Sequence, residues 1–306
     1  MKRAATLGRF WRGIALALLC SMAFPVVAQE GAFGPLSSSP QFLYAFKDHV
    51  YFSADDGVFG RELWRVTVPE GKAEQVADIT PGPRGSTIDQ FYTFRDRLYF
   101  RVVDETAGGE LWCSDGVPGG RTERVKQFYE NAESLGLTSI MGDTGDMMLL
   151  SAGNPLGARP VWFSDGTQEG SYPSQNADKW VVMTQSVLGA RWQDTVYFAG
   201  EGFLDQGSMA GVWKSKGTPE TTVLVYSFTD IPYSVTALKD KGVFFVASTE
   251  AEGGELWVTQ GAPESTHLVK DIWEGPETSD IGDLMAYEDP RGRFKSRVYF
   301  RATHPE

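Results

Sequence analysis

A tryptophan-centred stretch recurs along this chain, and its recurrence limits what the chain can fold into. Residues 108–116 read Gly-Gly-Glu-Leu-Trp-Cys-Ser-Asp-Gly, residues 254–261 read Gly-Glu-Leu-Trp-Val-Thr-Gln-Gly, and residues 60–64 read Gly-Arg-Glu-Leu-Trp. Weaker copies run from Val161 to Thr167 and from Val212 to Thr218. The five tryptophans, Trp64, Trp112, Trp162, Trp213 and Trp257, lie 48, 50, 51 and 44 residues apart. A second marker keeps step with them: Val50–Tyr51–Phe52, Leu98–Tyr99–Phe100, Met148–Leu149–Leu150, Val196–Tyr197–Phe198, Val243–Phe244–Phe245 and Val298–Tyr299–Phe300. Two independent markers with one period define an internal repeat, and a repeat of this length sets the architecture.

Each repeat resolves into four short strands. In the second, Gln90–Phe94 and Arg97–Val103 flank the polar pair Arg95–Asp96, the spacing of a tight hairpin. Glu110–Cys113 supplies a third strand, Ser114–Gly120 carries Asp-Gly turn chemistry, and Thr122–Phe128 supplies the fourth. In the fifth repeat Ser234–Ala237, Val243–Ala247, Glu255–Val258 and His267–Ile272 fill the same slots. The second strands are apolar at consecutive positions, which means burial on both faces. No stretch has the period of an amphipathic helix of three or more turns. The expectation is an all-β propeller of four-stranded blades, each sandwiched between neighbours. There are five complete units between Gln41 and Ile272, then a half repeat around Asp283–Tyr287 and Val298–Ala302. That makes six blade positions with the last incomplete, and each tryptophan of the series is expected between adjacent blades.

These residues resemble the bacterial ELWxxDGT-repeat proteins over about residues 41–302. Glu110–Gly116 matches the motif until Val117 replaces its threonine, and Glu255–Gly261 matches with Gln260 for the aspartate. The third copy keeps Ser164–Asp165–Gly166–Thr167 and loses the glutamate. The resemblance implies an exported, propeller-like protein, with no reaction attached to the repeat.

The ends and the charge bound the setting. Residues 1–28 have a basic head (Lys2, Arg3, Arg9, Arg12), an apolar run Gly13–Phe24 and the break Pro25, the layout of a cleaved secretory signal. The run is too short for a membrane span, so no membrane insertion is expected after cleavage. Residues 29–40, rich in Gly, Pro and Ser, read as a flexible leader to a repeat domain at 41–306. The chain has 28 basic and 40 acidic residues, a net charge of −12; cleavage removes four basic residues and leaves 24 against 40, or −16. Such a surface repels phosphate backbones, so nucleic acid is excluded as a partner. One cysteine, Cys113, then remains, too few for an internal disulfide, and its place beside Trp112 in a strand reads as a buried, inert thiol. Secretion, the periplasm or the cell surface is the expected location, and a monomer the expected state.

Chemistry-bearing motifs are scarce. There is no Gly-x-Ser-x-Gly elbow, no His-Glu-x-x-His and no phosphate-binding glycine loop. Three unclustered histidines, His49, His267 and His304, do not make a zinc site. No catalytic residue, metal site or cofactor is therefore assigned. The repeated Glu62, Glu110 and Glu255 read either as a carboxylate ring for a cation or polar ligand, or as structural acceptors at a strand start. The structural reading is preferred, because the residue repeats with the fold and is Pro160 and Gly211 elsewhere. The Asp-Gly pairs at Asp56, Asp115 and Asp165 read as turns, since calcium needs about six to eight oxygen ligands.

Function on repeat scaffolds tends to sit on loops that break the repeat. Those are Gly153–Arg159 in the third repeat and the insertion Gly200–Gly211 in the fourth, both joining second strand to third. They nominate a contact patch of Asn154, Phe203, Leu204 and Asp205. The expected function is a non-catalytic binding or surface-interaction module for a glycan or protein. The alternative is a polysaccharide hydrolase or lyase using carboxylates of the central channel.

Overall fold

The computed structural model describes residues 37–304 apart from 70, 105–107, 130–134, 177–178, 184–188, 205–206, 290 and 292–294. Residues 1–28, where a signal segment is expected, and most of the expected leader 29–40 lie outside the described residues. Two compact units divide the chain, Met1–Ala132 and Glu133–Glu306.

The first unit holds two antiparallel sheets, each a four-strand meander. One is β1 (Gln41–Phe46), β2 (His49–Asp55), β3 (Arg61–Thr67) and β4 (Ala73–Ala77). The next is β5 (Thr87–Phe94), β6 (Arg97–Asp104), β7 (Gly108–Ser114) and β8 (Thr122–Gln127). The polar pair Arg95–Asp96 forms the β5–β6 turn with φ of 45° and 62°, the primed geometry that matches strand twist.

The second unit continues the pattern. β9 (Gly136–Asp143), β10 (Met148–Gly153), β11 (Arg159–Ser164) and β12 (Ser171–Pro173) form the third sheet. Two further strands follow, β13 (Gln175–Asn176) and β14 (Lys179–Met183). β15 (Ala190–Trp192), β16 (Thr195–Leu204), β17 (Gly207–Ser215) and β18 (Val223–Ser227) make the fourth. β19 (Tyr233–Leu238), β20 (Gly242–Ala247), β21 (Glu255–Thr259) and β22 (His267–Lys270) make the fifth. A single 3-10 turn, Pro263–Ser265, interrupts the β21–β22 link. Among the described residues β23 (Gly282–Tyr287) and β24 (Arg297–Arg301) pair only with each other. The all-β class and the repeated four-stranded sheets thus follow the repeat. Among the described residues no helix is long and apolar enough to cross a membrane.

The consecutive apolar residues of the second strands serve two faces, as their pattern requires. On β20, Val243, Phe245 and Ala247 join Tyr197, Val212 and Val225 of the fourth sheet in one cluster. Their alternates Phe244 and Val246 join Leu284 of β23 and Ile281 just before it in another. Phe245 is fully buried, worth about 2–3 kcal/mol of apolar transfer. The tryptophans follow the same rule where two sheets of one unit meet. Trp213 packs with Met141, Leu149 and Phe163 of the third sheet, and Trp257 lies 5.0 Å from the Phe228 ring that follows the fourth. Trp112 packs against the cluster in which Phe46, Tyr51, Leu63 and Val76 of the first sheet meet Ile88, Leu98 and Phe100 of the second. Trp64 is half-buried and packs on the cluster of Val50, Phe52, Ala54 and Val66 in its own sheet.

Candidate functional site

The repeated glutamates are fasteners. Glu62, on β3, accepts hydrogen bonds from the N–H of Ile79 (2.7 Å, to Oε2) and of Thr80 (3.4 Å, to Oε1), and its Oε1 is hydrogen-bonded with the Ser86 hydroxyl at 3.3 Å. Glu255, on β21, does the same with the N–H of Ile272 (3.1 Å) and Trp273 (3.3 Å) and with the Ser279 hydroxyl. The partners stand 17, 18 and 24 residues downstream in both cases. Each carboxylate therefore holds the link from its own sheet's last strand to the first strand of the next. Both glutamates are fully buried, at 0 % exposure. Glu110 is diverted: Arg124 (2.8 Å) and the Trp112 indole (2.8 Å) donate to its carboxylate.

Burial pushes the Glu62 carboxyl up to about 7, against the lowering effect of the Ile79 and Thr80 amides, and the nearby Asp78 charge adds to the rise. The geometry accommodates a proton on Oε1. The strong amide contact is to Oε2, while Oε1 faces the Ser86 hydroxyl, which in turn donates to Thr80 Oγ1 at 2.7 Å.

The Asp-Gly turns are equally self-satisfied. Asp115 accepts from the N–H of Val117 (2.9 Å) and Arg121 (3.0 Å); Asp165 accepts from the N–H (2.8 Å) and hydroxyl (2.7 Å) of Thr167. Asp56 accepts from Val58 and Phe59, both at 2.8 Å. A hydroxyl pair closes the turn between third and fourth strands in four of the repeats: Ser114–Thr122 (2.8 Å), Ser164–Ser171 (2.7 Å), Ser215–Thr222 (2.8 Å) and Thr259–Thr266 (2.7 Å). Among the described residues no group of three or more His, Cys, Asp or Glu is placed to hold a metal ion. Cys113 is fully buried, and burial pushes its thiol up to about 11.

The loop residues meet in an unexpected way. Asn154 spends its side-chain oxygen on the N–H groups of Leu156 and Ala158, each at 3.0 Å, which shapes the turn; Leu156 beside it is 92 % exposed. The segment Gly200–Gly211 is not a loop. It extends β16 and β17 into a long hairpin, pairing Gly200 with Gly211, Phe203 with Ser208 and Leu204 with Gly207. The physical reason is Trp213. Its indole donates to the Gly200 carbonyl (3.2 Å), and its ring lies against Gly202 so closely that any Cβ there would overlap it. Asp205 lies outside the described residues, as do the side chains of Phe203 and Leu204.

β14 brings the two divergent segments together. It pairs Val182 with Pro160 and Met183 with Arg159 on one edge, and Val182 with Glu201 and Trp180 with Phe203 on the other. Two strand spacings, about 10 Å, thus separate the end of the Asn154 turn from the β16 extension.

No family model matches the chain, and no curated protein matches it. Solved structures resemble it at low identity. TolB from Acinetobacter baumannii is 12% identical over 84% of this chain and 62% of its own, with a TM-score of 0.42. An acylaminoacyl peptidase from Pyrococcus horikoshii is 12% identical over 76% of this chain and 38% of its own, with a TM-score of 0.45. Prolyl oligopeptidase B from Galerina marginata is 14% identical over 83% of this chain and 37% of its own, with a TM-score of 0.46. The chain spans less than two thirds of each. At such distances these likenesses transfer no activity.

Two sets of residues escaped the sequence reading. The clamp serines Ser86 and Ser279 sit at a constant offset from the Glu-Leu-Trp glutamates, a signal visible once the two repeats are aligned. β14 carries the apolar run Trp180–Val181–Val182–Met183, which a search for short strands outside the period would have found.

Proposed function

We propose that this protein is an exported, non-catalytic binding propeller of the ELWxxDGT-repeat kind. Its repeats act as scaffold, and its ligand, a glycan or a protein, meets the surface built on the β14 bridge. The observation that carries this reading is the shared bonding of Glu62 and Glu255: the acid that the repeat supplies is buried and consumed in holding the sheets together. A hydrolase or lyase needs carboxylates that substrate can reach, about 5–10 Å apart. Glu62 has the elevated pKa of a general acid, yet its full burial keeps any sugar from it. The four-stranded sheets and their doubly buried second strands support the propeller. The basic head and short apolar run of residues 1–28 support export.

The binding surface joins Asn154, Phe203, Leu204 and Asp205, where the chain departs from its own repeat. A glycan array and a pull-down comparing wild type with the Phe203→Ala/Leu204→Ala double variant test it. Loss of the recovered ligand with an unchanged circular dichroism spectrum is the expected result. Binding of every recovered ligand unchanged by the double variant overturns the surface, and turnover of a polysaccharide by the wild type overturns the non-catalytic reading.

A further inference from the structure

The Glu-Leu-Trp glutamate takes one of two sets of partners, and the choice shows in the tryptophan two residues on. A strand puts residues two apart on one face, so the carboxylate and the indole are neighbours in every copy. In the second repeat Glu110 turns to its own sheet: Oε2 accepts from Trp112 Nε1 and Oε1 from Arg124 Nη1, each at 2.8 Å. In the first and fifth repeats Glu62 and Glu255 turn to the link instead. There Trp64 Nε1 and Trp257 Nε1 are buried with no hydrogen-bond partner among the described residues.

The fourth-strand residue opposite the tryptophan differs among the three copies. It is Arg124 opposite Trp112, Gln75 opposite Trp64 and Leu268 opposite Trp257. Directly paired residues share a face, so this residue stands beside the indole. Arg124 supplies a charged donor, and the carboxylate is drawn to it. Leu268 supplies none, and the carboxylate goes to the link. Gln75 lies between the two: its Nε2 is a buried donor, also without a partner among the described residues. Glu62 therefore bonds one set of donors in the link, Ile79 and Thr80, beside a second set in its own sheet, Trp64 and Gln75. Moving the carboxylate from the first set to the second satisfies as many donors as it releases. The released amides belong to a half-buried link that runs into the exposed Pro81, Pro83 and Arg84, where solvent takes the place of the carboxylate. The donors gained are buried, where an unpaired group is costly.

We propose that Glu62 is a two-position latch on the link between the first and second sheets. Its carboxylate exchanges Ile79 and Thr80 for the Trp64 indole and the Gln75 amide, which releases the link, and the residue opposite the tryptophan sets the balance. An arginine there holds such a latch open, as at Glu110. An apolar residue holds it shut, as at Glu255. Glutamine leaves it free to move. The latch belongs to the scaffold and is independent of the surface around Asn154.

Indole resonances and amide hydrogen exchange, read by NMR on the full chain, test it together. Trp64→Phe assigns the Trp64 indole. Gln75→Arg is expected to move the Trp64 Nε1 proton downfield, into the range of a bonded indole, and to speed exchange of the Ile79 and Thr80 amides roughly tenfold. Gln75→Met, of similar length without a donor, is expected to slow that exchange and leave the indole unbonded. In the second repeat, Arg124→Leu is expected to move the Trp112 Nε1 proton upfield as Glu110 leaves it. An unmoved Trp64 resonance in folded Gln75→Arg overturns the proposal, and so does equal exchange in Gln75→Arg and Gln75→Met. Should Gln75→Arg not fold, Arg124→Leu decides: a Trp112 resonance that shifts upfield supports the latch, and one that stays in place overturns it.

Discussion

The Tyr51 hydroxyl donates a 2.8 Å hydrogen bond to the Gly116 carbonyl, tying the second strand of one sheet to the turn of the next. Arg65, the residue after Trp64, donates to the same oxygen at 2.8 Å. In the second unit Lys214, the residue after Trp213, donates to the Gly261 carbonyl at 2.7 Å, and the Tyr197 hydroxyl lies against Gly261. The marker tyrosine, the residue after the marker tryptophan and the turn glycine are thus one device for joining sheets. Gly116 has a φ of 80°, and an added Cβ would overlap the Tyr51 hydroxyl, so the position demands glycine twice over.

Tyr51→Phe removes one of the two donors to Gly116. Its expected cost is about 1 kcal/mol, the net worth of one hydrogen bond, because Arg65 keeps the carbonyl satisfied. Tyr51→Phe combined with Arg65→Met leaves the oxygen without either donor and should cost more than the sum of the two single changes. Urea denaturation of the four proteins measures this. Strict additivity would mean that the two donors do not share an acceptor in solution.

Much of this was legible beforehand, and the reasons are physical. The unbroken apolar run Val243–Ala247, on a strand whose side chains alternate between faces, means two buried faces, and the strand slots of the second and fifth repeats lie within a few residues of β5–β8 and β19–β22. The structural role of Glu62 was readable because it recurs with the fold. The β16–β17 hairpin was not, because Gly200, Gly202, Gly207 and Gly211 read as loop residues. The sequence does not reveal that Trp213 requires a bare backbone at 202, since that contact crosses from one strand to the next. Asn154 was singled out for its divergence from the repeat, and the same divergence also creates the turn that its side chain holds.

Gly202→Val tests the hairpin. A side chain there must displace the Trp213 ring, which is 1 % exposed and fills the contact with the third sheet. The expected loss is about 2–4 kcal/mol, in the range of overpacking and core disruption, together with a red shift of tryptophan fluorescence. Gly207→Ala, near the hairpin tip where an added Cβ meets nothing among the described residues, serves as the comparison and should cost about 1 kcal/mol from its φ of 106°. Equal losses in the two variants would contradict the Trp213 contact.

Cys113 should resist thiol reagents in the native protein. It is fully buried, and its thiol is pushed up to about 11, so the reactive thiolate is scarce at pH 8. Mass spectrometry after iodoacetamide treatment should show modification only once denaturant unfolds the chain. Rapid labelling of the folded protein would contradict the burial.

The repeated glutamate as a fastener is tested most directly by the melting temperature of Glu62→Gln against wild type across pH. The Glu62 carboxyl is raised from 4.5 to about 7, so the folded protein holds a proton that the unfolded chain has released. The resulting stability is fully present below pH 4.5 and is lost as the pH rises through 7, by up to about 3 kcal/mol. Glutamine mimics the protonated acid, with its amide N–H₂ in place of the Oε1 proton facing Ser86. The two proteins should therefore melt together at pH 5, and Glu62→Gln should melt several degrees higher at pH 8. A variant that melts lower than wild type at both pH values would mean that the buried group is a carboxylate throughout, and would contradict the protonated fastener.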